Sequence, residues 1–131
     1  MTNNRHYLNL LMFASLLAIL SSCSYDFIEY PVVIPPDPND TVYFAEKIAP
    51  IFTANDNCTS CHKDGGAASP DFSTGKAYSS IVPNLINEAD PESSLIYWHA
   101  HPSSDAHTWK KLTTNEADLI LLWIQQGALN N

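Results

Sequence analysis

Beyond Met12 the chain contains no methionine, and beyond Arg5 no arginine. The first absence removes thioether sulfur from any ligand set built by residues 13–131. The second leaves Lys47, Lys63, Lys76, Lys110 and Lys111 as the only fixed cations past residue 5, against 14 acidic residues. That balance argues against nucleic acid and anionic membrane surfaces as partners. An acidic surface suits solubility, or docking to a basic partner protein. Glycine is scarce, at 4 residues, and none falls in a phosphate-cradling loop. No Ser/His/Asp arrangement and no paired-carboxylate site is evident, so the pattern does not read as an enzyme. Strand-like alternation of any length is also missing, which predicts an all-α domain. At 131 residues there is room for one such domain.

Cysteine is limited to 3 residues, and their positions separate them. Cys23 closes the N-terminal segment. Arg5 and His6 precede the apolar run Leu8–Leu20, LNLLMFASLLAIL, a basic n-region followed by an h-region too short to span a membrane. Leu20-Ser21-Ser22-Cys23 resembles the lipobox of bacterial lipoproteins, which implies a signal peptide over 1–22 and lipidation of Cys23. An ordinary secretory signal is the alternative. Residues 23–40 follow as a tether with Pro31, Pro35, Pro36 and Pro38, long enough when extended to reach about 50 Å. Ser24 is not the aspartate that retains some lipoproteins at the inner membrane. The expected location is therefore the outer membrane of a bacterial envelope, on its periplasmic face or at the cell surface, where Asp26 and Glu29 would favour display.

The folded domain is expected over 41–131. Val42, Ala45, Ile48, Ala49 and Phe52 recur at helical spacing, with Pro50 expected to kink or end that stretch. A short helix is predicted through Ala77, Tyr78 and Ile81, capped by Ser73 or Thr74 and stopped by Pro83. Asp90-Pro91 reads as the start of a helix through ESSLIYWHA. Thr113 and Glu116 form a capping box ahead of Ala117, Ile120, Leu121 and Ile124, and Gly127 stands where a helix would stop. Four short helices joined by loops rich in Pro, Gly, Ser and Asp make a thin core. A large apolar prosthetic group would fill it. Tyr43, Phe44, Phe52, Tyr78, Tyr97, Trp98, Trp109 and Trp123 are candidates for its walls, though most suit core packing, Trp123 above all.

The remaining cysteines stand in Cys58-Thr59-Ser60-Cys61-His62. A redox-active C-x-x-C opens a helix in a strand-containing fold, and no βαβ pattern is present. A structural zinc site would combine both thiols with two of His99, His101 and His107, but His99-x-His101 is closer than zinc-finger spacing. The third reading is a haem c attached covalently through both thiols. Two intervening residues set the reach of the thiols to the porphyrin's two vinyl groups, and His62 is delivered to the iron. Attachment of this kind takes place outside the cytoplasm, in agreement with the export signal.

The wider sequence then resembles a family. EKIAPIFTANDNCTSCH is similar to the first helix and haem motif of small bacterial c-type cytochrome domains, often found on envelope lipoproteins. PESSLIY and LTTNEADLILLWIQQGALNN are similar to that family's P-x-x-S-x-L-Y region and its terminal helix. The resemblance covers about residues 42–131. It implies a class I-like bundle whose first and last helices cross behind one haem, serving as a carrier of single electrons. Many such domains supply a distal methionine just upstream of the last helix, and composition excludes that here. His107 is the expected distal iron ligand by position, His101 the second choice and His99 the third, with Lys110, Lys111 or an open site as further possibilities. An open or displaceable site would make the domain a gas- or peroxide-binding sensor instead.

Overall fold

A computed structural model describes residues 3–20 and 34–131 and divides the chain into two units, 1–32 and 33–131. In the first unit, helix α1 (Asn3–Leu20) covers the basic and apolar stretches expected of an export signal. No helix among the described residues is long and apolar enough to cross a membrane. Cys23, with its lipobox, and the tether as far as residue 33 lie outside the described residues.

The second unit is helical, and no strand occurs among the described residues. Its order is a π-helical turn Phe44–Ile48 running into α2 (Ala49–Thr53), a 3-10 turn Ala54–Asp56, α3 (Ala77–Ile81), a 3-10 turn Pro91–Ser93, α4 (Leu95–Trp98) and α5 (Thr114–Gln125). Helices are thus present at all four expected places; α3 spans its pattern Ala77–Ile81, whereas α4 is shorter than the stretch ESSLIYWHA. Pro50 falls just past the change from the π-helical turn to α2. It sits in the first turn of α2, where its missing N–H costs nothing. Before it the winding is wider, with the Ala49 N–H bonded to Phe44 O.

Two expected caps are replaced by backbone. Ser73 starts α3 through its carbonyl, which accepts from Lys76 N at 2.9 Å and Ala77 N at 3.1 Å. Asp90 makes no side-chain cap, and the helix predicted through ESSLIYWHA is broken at Ser94, which is extended at φ −61°, ψ 129°. Ser94 is buried to 1 % exposure, and its hydroxyl accepts from Asn87 N at 3.0 Å. Satisfying that buried hydroxyl from a neighbouring loop takes precedence over helix continuity.

Helix α5 forms as its pattern predicts. Glu116 N donates to Thr113 Oγ1 at 3.3 Å, and Thr113 N donates to Glu116 Oε2 at 2.7 Å. At its end Gly127 has φ +90°, with Ala128 N bonded to Trp123 O at 3.0 Å and Gly127 N to Ile124 O at 2.9 Å. This pair of bonds is the Schellman stop.

The inner face of α5 carries Ala117, Ile120, Trp123 and Ile124, all buried. Trp123 packs on Phe44 with ring centroids 5.3 Å apart, and Phe44 meets Tyr78 edge-on at 5.2 Å. Trp123 Nε1 donates to Leu129 O at 2.9 Å and the Tyr78 hydroxyl to Ala128 O at 3.1 Å, so both polar tips are satisfied. The two ends of the domain are stitched together as well. Val42 N donates to Gln126 Oε1 at 2.9 Å, Phe44 N to Asn131 Oδ1 at 2.8 Å, and Gln126 Nε2 to Asp40 O at 2.9 Å. First and last helical segments therefore pack as one base.

Candidate cofactor-binding site

The motif is positioned by the end of α2. Asn55 takes a left-handed conformation, φ 53°, which turns the chain out of the helix. Cys58 N and Thr59 N then return to Phe52 O at 3.0 and 3.4 Å. Cys61 N and His62 N both bond to Cys58 O, at 3.1 and 2.9 Å. Cys58, Cys61 and His62 thereby fall at i, i+3 and i+4 of a single helical turn, the spacing that puts three side chains on one face. All three line one cavity of about 430 Å³.

The loop after the motif folds back over it. Gly66 N bonds to Lys63 O at 2.8 Å, Ala68 N to Cys61 O at 3.1 Å and Phe72 N to His62 O at 2.9 Å. A side chain at Gly66 would run into the Cys61 carbonyl and lie 2.8 Å from Lys63 O. This loop brings the Pro70 carbonyl to the Nδ1 of His62 at 3.1 Å. A carbonyl only accepts, so Nδ1 carries the proton and Nε2 keeps its lone pair. Phe72 stacks on Phe52 at 4.7 Å and lies 5.0 Å from the His62 ring, fixing the imidazole from the side.

The opposite side of the cavity comes from the second half of the chain, through Leu85, Leu95, Ile96, His99, Ala100, His107 and Leu112. His107 faces His62 with ring centroids 6.1 Å apart. Its Nδ1 is buried and has no hydrogen-bond partner. Trp109 and Lys110 complete that side, and Lys110 Nζ donates to Asn57 O at 2.8 Å, tying this loop to the start of the motif.

The expected residues divide clearly. Cys58, Cys61, His62 and His107 converge on one space. His101 does not line it. Its Nδ1 instead accepts from Ser103 N at 3.2 Å and lies 2.8 Å from the Ser103 hydroxyl, while its ring packs 5.1 Å from Tyr97. His99, the third choice, does line the cavity. Pro70 and Gly66 were not legible as site residues. The Gly65-Gly66 pair signals a turn, but only the folded loop reveals the close approach to Cys61.

The chemistry of the donor set is decided by what else is near. Both thiols are free. Burial pushes the Cys58 thiol up, the carboxylate of Glu116 adds to the rise, and Lys110 opposes it. A thiol kept neutral is the reverse of the activated nucleophile a redox C-x-x-C requires. Among the described residues no three His, Cys, Asp or Glu side chains gather closely enough to hold a metal ion.

A haem asks the protein for only two axial donors, two thiols at its edge and apolar walls, and the residues present fit that demand. Neither a family model, nor a curated protein, nor a solved structure matches the chain.

Proposed function

We propose that the chain is a lipid-anchored monohaem c-type cytochrome, an electron carrier of the bacterial envelope rather than an enzyme. The observation that carries this reading is the convergence of Cys58, Cys61, His62 and His107 on one apolar cavity, with His62 and His107 facing each other. When bound, haem c supplies the one-electron chemistry, and its potential is set by axial ligands, burial and hydrogen bonding.

The residues have separate tasks. Cys58 and Cys61 supply the thioether links. His62 is the proximal ligand, and the Pro70 carbonyl fixes its tautomer and strengthens it as a donor. His107 is the distal ligand. Phe52, Phe72, Ile96 and Leu112 keep water from the cavity floor, lowering the local dielectric around the iron. Leu95 and Trp109, exposed to 45 % and 80 %, flank the mouth, where a redox partner protein would approach. Membrane attachment falls to Cys23.

The test is to mature the full chain in a host with c-type haem assembly and denature it. Haem absorbance that stays with the unfolded chain, together with an intact mass one haem heavier, supports the proposal. A chain without covalent haem, after attachment has succeeded for a control cytochrome in the same host, removes it.

A further inference from the structure

The cavity contains one imidazole that the proposed ligand pair leaves unused. His99 lines the same space as His62 and His107, and its ring meets that of His107 edge-on, with centroids 5.9 Å apart and planes at 75°. These two histidines are held very differently. His99 directly follows α4, with its N–H bonded to Leu95 O at 3.1 Å, on a segment anchored by buried Ser94 and Ile96. His107 stands in the loop 101–111, where no residue is buried.

The side-chain ties of that loop to its surroundings are few: Lys110 Nζ to Asn57 O at 2.8 Å, which is exposed, and the His101 ring 5.1 Å from Tyr97. The bond from Lys111 Nζ to Pro102 O at 3.4 Å and the Lys111–Asp105 ion pair at 3.8 Å stay within the loop. Exposed ion pairs contribute little. Among the described residues no hydrogen bond holds the buried Nδ1 of His107, whose ring has only the contacts with His62 and His99, whereas the Pro70 carbonyl holds Nδ1 of His62. The firmly anchored histidine is therefore the one in reserve, and the assigned distal ligand sits on the part of the wall that moves most cheaply.

We infer that His99 is a second distal ligand, taking the sixth iron position when loop 101–111 carries His107 away. This rests on the haem reading above. The two states differ in which imidazole is bound. In both, the iron keeps two nitrogen ligands, so opening the loop towards a partner does not expose an empty coordination position. The device is a population shift between two packings of one loop. It also sets this domain apart from a gas- or peroxide-binding sensor, which needs the position free.

The experiment compares haem-loaded full chain with His99→Ala, His107→Ala and the double variant. Ferric spectra report spin state, ferrous spectra under carbon monoxide report access to iron, and circular dichroism reports folding. Each single variant is expected to stay low-spin and slow to bind carbon monoxide, while the double variant loses the low-spin bands and binds it readily. A folded His107→Ala protein as high-spin and as reactive as the double variant overturns the inference and leaves His107 as the sole distal ligand. A double variant that stays low-spin overturns it too, placing the ligand elsewhere. Failure of the haem reading is visible earlier and separately, as wild-type chain that holds no covalent haem.

Discussion

His62 and His107 come from opposite halves of the domain, and their imidazole rings lie with centroids 6.1 Å apart across one cavity. The separation is within the range of packed rings, with the planes 28° apart. His62 is held by its own loop through Pro70. His107 depends on the approach of a distant segment, whose one side-chain hydrogen bond to the motif's side, among the described residues, is the exposed bond from Lys110 Nζ to Asn57 O.

The first prediction concerns potential. Imidazole donates more strongly to ferric iron than thioether sulfur does, so the midpoint should lie below that of His/Met cytochromes of similar burial. Spectroelectrochemical titration measures it. The ferric spectrum should also lack the near-infrared band of sulfur bound to iron, and finding that band would contradict the composition itself.

Gly66 supplies the second. Gly66→Ala places a methyl against the Cys61 carbonyl and 2.8 Å from Lys63 O, both backbone atoms that cannot step aside. Overpacking of this kind costs about 1–3 kcal/mol. Gly65→Ala meets no atom within 4 Å and suffers only its positive φ of 66°, worth about 1–2 kcal/mol. Urea melts should show destabilisation in both, but only Gly66→Ala should also lower the yield of attached haem. Equal yields would mean that the loop 63–72 does not shape the motif.

Titration of Cys58 gives the third. Its thiol is raised above the ordinary value of 9.0 by burial first and by Glu116 second. The unfolded chain therefore releases its proton at lower pH than the folded one. In the haem-free domain, stability should be at its full level below about pH 9 and fall as pH rises from there through the raised value. Cys58→Ser should flatten that slope in denaturant melts. Haem-loaded protein, with sulfur locked in a thioether, should lack it altogether.

The fourth addresses attachment of haem to sulfur. Cys58→Ala and Cys61→Ala should each leave haem joined through a single thioether or lost, with helix content falling when it is lost. Mass spectrometry and far-ultraviolet circular dichroism report the two effects. If both variants yield stable, fully helical, haem-free domains, the cavity does not depend on its occupant.

The last prediction is for the anchor. Cys23→Ser should move the protein from the membrane fraction to the soluble one after fractionation. Unchanged sedimentation with membranes would reassign the attachment to another element.

What the sequence by itself determined is whatever depends on neighbours within one helical turn. The capping box of Thr113 and Glu116, the stop at Gly127, the inward face of α5 and the three donors of Cys58–His62 all follow from spacing alone, because their partners lie three to five residues away. The absence of methionine past residue 12 likewise closed one ligand choice without any structure. Tertiary structure decided the rest. Ser94 breaks a helix that its sequence would continue, because a buried hydroxyl finds its partner at Asn87. Pro70 becomes the brace of His62 only once residues 63–72 fold back over the motif. His99 enters the cavity while His101 leaves it for Ser103 and Tyr97. Two residues apart on a chain leaving a short helix, these histidines differ only in which way the loop carries them. No local propensity encodes that, since it is fixed by backbone closure between Ala100 and Leu112, at 2.8 Å, and by the walls the cavity borrows from the rest of the domain.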